Sequence, residues 1–159
     1  EMRLSLVGSE MCIRDRRYSG ATKNLSICLG TARGACQVHS AGEVTDYYHP
    51  SSPKETSESM ADAVSAALDY KKGRWVFINI INALKPVDGC SGTADRPDLG
   101  IVASTDPIAA DRAALDIVYG LTSDPELRKE WEREHSVDVL DYAERKGLGS
   151  RAYRLQSID

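Results

Sequence analysis

The sequence predicts an α/β fold, a layered sheet with partly parallel strands flanked by helices. Three features carry that expectation. Met60, Ala63, Val64, Ala67 and Leu68 recur at helical spacing within Ser57–Lys72. Two short runs rich in β-branched residues follow, Trp75–Ile81 and Leu99–Ala103. The run Ser104-Thr105-Asp106-Pro107 then opens a second apolar helix. Helix, strand, loop, strand and helix in that order argue for layers with some parallel pairing.

Each element has a local reason. Leu6–Arg16 has no helical or strand period and joins Arg17 abruptly. It resembles the conceptual translation of a sequencing-library adapter. Residues 1–16 are therefore set aside as non-native, and 17–159 are read as one α/β domain, expected to be incomplete. Tyr18–His39 is rich in glycine, with a short helix over Ala21–Leu29 or a strand over Leu25–Leu29 as competing readings. Ala41–Lys54, with Pro50 and Pro53, reads as a polar connection.

Gly73 stops the Ser57–Lys72 helix. Trp75–Ile81 suits a strand covered on both faces. Asn82–Pro97 is a long loop. Asp106 is a good N-cap, and Pro107 at the first helical position has its φ preset. Ile108, Leu115, Val118 and Tyr119 are expected in the core. Pro125–His135 reads as a charged, solvated helix and Val137–Lys146 as another, ended by Gly147. Tyr153–Ile158 reads as an edge strand.

The 159 residues carry a net charge of −4, with bases scattered among acids. This gives no electrostatic footprint for nucleic acid. No apolar run reaches bilayer length. Cys28, Cys36 and Cys90 form no C-x-x-C pair, which speaks against a zinc ribbon or cluster built from this chain alone. Reduced cysteines packed as small hydrophobes, in a cytoplasmic protein, are the expectation.

The candidate chemistry sits in three places. Lys23 and His39 are the side chains of Gly20–Gly42 best suited to hold a cofactor and a metal, respectively. A lysine at a helix start gains nothing from the macrodipole, so a bound anion or covalent cofactor would offset it. A neutral imidazole serves metal ligation or proton transfer. Asp88 and Cys90, two apart in a glycine-containing loop, pair a carboxylate with a thiol and suit a borderline metal. Ser104, Thr105 and Asp106 follow a strand and precede a helix, where free N–H groups would favour an anion. If the two strands are parallel neighbours, the loops after them share one edge. Two of the places have a structural alternative, a surface lysine and a satisfied loop histidine in the first and plain helix capping by Ser104–Asp106 in the third, while the two ligands Asp88 and Cys90 do not by themselves make a site.

Four blocks, GATKNLSICLGTARGACQVHSAG, FINIINALKPVD, DLGIVASTDPIAADRAALDIVYG and LDYAERKGLGSRAYRLQSID, resemble the C-terminal half of the domain of unknown function 362 family. G-A-x-K-N, D-x-G-I-x-A-S-T-D-P and G-L-G-S-x-x-Y are the most specific pieces. The resemblance implies a bacterial, iron–sulfur-associated, oxidoreductase-like protein, with a 4Fe-4S cluster in full-length members that carry a ferredoxin-type insert. Where relatives read C-D-C, this chain reads Val87-Asp88-Gly89-Cys90. A more distant likeness is to the nickel-pincer lactate racemase family. There the lysine of a G-G-x-K block tethers the pincer cofactor and a later histidine ligates nickel. Lys23 and His39 would take those roles, with Gly20-Ala21 in place of the paired glycines. The expected partners are the N-terminal half of the same protein and a small-molecule anion. A non-enzymatic module that accepts a cluster or an anion is the third expectation.

Overall fold

The computed structural model describes residues 53–70, 73, 75–81, 97–121, 125, 128, 129, 132 and 137–158. Residues 1–52, and with them the set-aside N-terminus and the two readings of Tyr18–His39, lie outside the described residues, as does most of the Asn82–Pro97 stretch.

Helix α1 spans Pro53–Tyr70. It starts four residues before the position the sequence suggests, because Pro53 is compatible with the first helical position and needs no N–H there. Pro53 and Lys54, read as loop, are therefore helical. The chain turns out of the helix by Gly73, whose φ of 67° lies in the left-handed region. Ala61, Val64 and Ala67 recur on one face and are buried.

Strands β1 (Phe77–Ile81) and β2 (Gly100–Ser104) pair antiparallel, with Phe77 opposite Ser104 and Ile81 opposite Gly100. The hydrogen bond from Leu99 N to Ile81 O extends the ladder by one step. The expected parallel pairing of these strands is thus corrected. Parallel neighbours need a crossover, usually a helix. The intervening sequence, with Pro86, Gly89, Gly92 and Pro97, carries no apolar helical period.

Phe77, Asn79 and Ile81 are buried and alternate with half-buried Ile78 and Ile80. On β2, Val102 points inward while Ile101 and Ala103 are exposed. The sheet is therefore covered fully on one face only, among the described residues.

Helix α2 (Pro107–Leu121) buries Ile108, Leu115 and Val118, as expected, and leaves Tyr119 half-buried. Helix α3 (Asp138–Arg145) buries Val139, Leu140 and Ala143. It closes through Gly147 (φ 75°), with Gly147 N donating to Glu144 O and Leu148 N to Ala143 O. Pro125, Arg128, Lys129 and Glu132 are helical, and Arg128 pairs with Glu132 one turn on. Residues 151–158 form no strand and are exposed, so the expected edge strand Tyr153–Ile158 is also corrected. The hydrogen bonds placed at the start of this segment run to side chains rather than to a strand ladder.

The sheet's inner face, α1, α2 and α3 enclose two apolar clusters. One centres on Ile81, Val102, Ile108, Leu115 and Leu140, the other on Val64, Phe77 and Ala110. Leu148 packs against both. Trp75 stacks on Phe77, with centroids 5.9 Å apart. Ile108→Val removes one methylene from a fully buried side chain. It is expected to cost about 1 kcal/mol, read as a lower urea midpoint at constant slope. No described helix is long and apolar enough to cross a membrane.

Candidate functional site

The turn between β2 and α2 is built around one carboxylate. Asp106 Oδ1 accepts hydrogen bonds from Ile108 N at 2.8 Å and Ala109 N at 3.0 Å. Asp106 N donates to Ser104 Oγ at 3.0 Å. Oδ2 accepts from Ser150 N at 2.8 Å, joining the turn to a segment 44 residues later. Gly149 lies so close that a Cβ there would collide with the Asp106 carboxylate. Two of the N–H groups expected to be open to an anion are therefore taken by the protein's own side chain. Ser104 and Asp106 are half-buried, and Thr105 is exposed.

Antiparallel pairing changes which residues can meet. The chain leaves β1 at Ile81, opposite Gly100, whereas Ser104 lies opposite Phe77. Four residue steps separate these ends, about 13 Å at the usual strand rise. The shared edge inferred from parallel strands is absent: the C-terminal end of β1 and the Ser104–Asp106 turn sit at opposite ends of the strand pair. Lys23, His39, Asp88 and Cys90 lie outside the described residues.

A polar pair that the sequence reading missed lies in the core. Asn79 Nδ2 donates to Asp111 Oδ1 at 2.8 Å, and the two residues are 0% and 1% exposed. Asn79 Oδ1 is buried and receives no hydrogen bond. Burying a carboxyl group is costly unless it is hydrogen-bonded, so a pair like this marks a place where packing alone does not set the residue choice. Its signal was present in the sequence. Asn79 alternates with Phe77 and Ile81 on the inner face of β1, and Asp111 lies three positions after Ile108 and four before Leu115 on the inward face of α2.

Charge around the C-terminal segment is arranged in pairs. Glu144 accepts from Arg151 N at 2.7 Å and Arg151 Nε at 2.6 Å, and Arg151 also reaches Asp141. The Arg151 backbone N–H, then its guanidinium, holds the Glu144 carboxyl below the usual range. Tyr153 OH donates to Asp116 at 3.0 Å, and Arg112 pairs with the same carboxylate. Burial, with Glu132 nearby, pushes the Tyr119 phenol up to about 12. Tyr119 is thus held in its protonated form. Among the described residues no three His, Cys, Asp or Glu side chains gather into a metal-holding group.

A family model described as "Domain of unknown function (DUF362)" matches residues 15–116, more than half of the chain. The chain belongs to the DUF362 family. No curated protein and no solved structure matches it. The DUF362 match encloses Lys23, His39, Asp88, Cys90, the Ser104–Asp106 turn and the Asn79–Asp111 pair. Helix α3 and the segment after it lie beyond the matched DUF362 span, yet Ser150 bonds directly to Asp106 within it.

Proposed function

We propose that this chain supports the cofactor of a metal- or iron–sulfur-associated, oxidoreductase-like DUF362 protein and is inactive by itself. In this reading Lys23 contacts the cofactor and His39 is the metal ligand, with Asp88 and Cys90 as further candidates. Ser104 and Asp106 hold the shape of the adjoining wall. Thr105, exposed to solvent, is the member of the turn that can reach a ligand without breaking the cap.

The observation that carries the proposal is the block Gly20–Gly42, in which a lysine and an imidazole lie close in sequence inside the matched family span. The catalytic groups and a small-molecule anion would come together with the N-terminal half of the same protein. A binding module that accepts a cluster or an anion uses the same residues without turnover.

Metal content of the full-length protein, with and without His39→Ala, tests the ligand assignment. Loss of bound metal in the variant is expected, and unchanged stoichiometry would remove His39 from the site. Intact mass of protein made in its native host separates the cofactor readings. An adduct on Lys23 would favour a nickel-pincer-type group, the role that the distant likeness to the nickel-pincer racemase family implies. An unmodified Lys23 with metal still bound would favour the iron–sulfur reading.

A further inference from the structure

The segment after α3 is attached in an unusual way. Leu148 is fixed by its backbone hydrogen bond to Ala143 and by packing against both apolar clusters. Beyond it the hold is polar. Ser150 N binds Asp106, Ser150 Oγ lies 3.3 Å from Glu144, Arg151 binds Glu144 and Asp141, and Tyr153 OH binds Asp116. Each of these contacts ends on a carboxylate. Residues 151–158 are all exposed, so they bury little apolar surface.

We propose that Gly149–Tyr153 is a strap, hinged after Leu148, that closes over the Ser104–Asp106 turn and opens when the Glu144 clip at its centre loses its charge. Opening uncovers Asp106 Oδ2 and the first turn of α2 while the core stays packed. Regions with few buried apolar contacts open at lower free energy than the fold as a whole. Charge-assisted hydrogen bonds are roughly twice as strong as neutral ones, so protonating Glu144 weakens its hold on Ser150 Oγ and on both donors of Arg151 together.

The charged groups facing the strap are Asp106, Arg112 and Asp116 at and along α2, and Asp141 and Glu144 on α3. Lys146 is directed away, to Asp62 of α1. Glu144 sets the direction of the pH response. Its carboxyl is held below the usual range in the folded chain. Its contribution is therefore complete above the ordinary glutamate value, about 4.3. It is lost as pH falls through the lower folded value.

Residue-resolved hydrogen exchange on the full chain, corrected for intrinsic rates, tests the proposal. Between pH 6 and pH 3 the protection of the Arg151 amide should fall about tenfold or more, while Leu115 and Val118 of α2 keep theirs. At pH 7, Glu144→Gln should lower Arg151 protection by about tenfold, from the lost charge alone. Gly149→Ala, which pushes the Asp106 carboxylate aside, should expose Ser150 at the same pH. Equal protection at the two pH values would overturn the strap, as would its loss in step with Leu115 and Val118. Wild-type protection in both variants would overturn it equally.

Discussion

Asn79→Leu is expected to destabilise the chain by about 3 kcal/mol, although leucine suits the apolar face on which Asn79 sits. The variant leaves the fully buried Asp111 carboxyl without the amide that donates to it. Asp111→Leu should cost a similar amount, because the Asn79 amide would then add an unpaired donor to its already unpaired oxygen. In the double variant the costs should fall short of their sum by about 2 kcal/mol, since each single change breaks the same bond. Urea denaturation of the four chains gives the cycle directly. Additive losses would mean that the two residues are not energetically linked, and the pair would lose its standing as a unit.

The second large effect is expected at Asp106. Asp106→Ala removes the cap of α2 and the anchor of Ser150 together, about 2 kcal/mol or some 5 °C in thermal midpoint. Asp106→Asn separates the two roles. The amide oxygen can still cap Ile108 and Ala109, but its NH2 would face the N–H of Ser150, donor against donor. Most of the midpoint should therefore survive in Asn, while Ser150 loses protection. If Asn and Ala behave alike in both measurements, the second oxygen of Asp106 contributes nothing to the C-terminal attachment.

These expectations also mark what the sequence made legible. Asp106 and Pro107 announced their helix because capping is local: a short acceptor side chain followed by a residue with preset φ. Ile108, Leu115 and Val118 followed from periodicity. Strand direction was not local. The runs FINII and GIVAS look alike whether they pair parallel or antiparallel, and only the absence of a helical period between them argues for the latter. With that reversal, the C-terminal end of β1 and the Ser104–Asp106 turn lie at opposite ends of the strand pair.

The contact between Asp106 and Ser150 was similarly out of reach. The D-P and G-L-G-S blocks each stood out, but their meeting depends on how α3 packs. Tyr153–Ile158 failed as a strand because alternating apolar residues do not supply a neighbour to pair with. Asn79 and Asp111 were missed for another reason: polar residues in an apolar period read as exceptions until both prove to face the same interior.

Leu148 gives the architecture a further property. One side chain, placed by the turn that closes α3, belongs to both apolar clusters. The group around Phe77 and Val64 cannot shed its neighbours without disturbing the group around Leu115 and Leu140. Their shared neighbour links the two interiors, which are expected to disperse on heating in one transition rather than two.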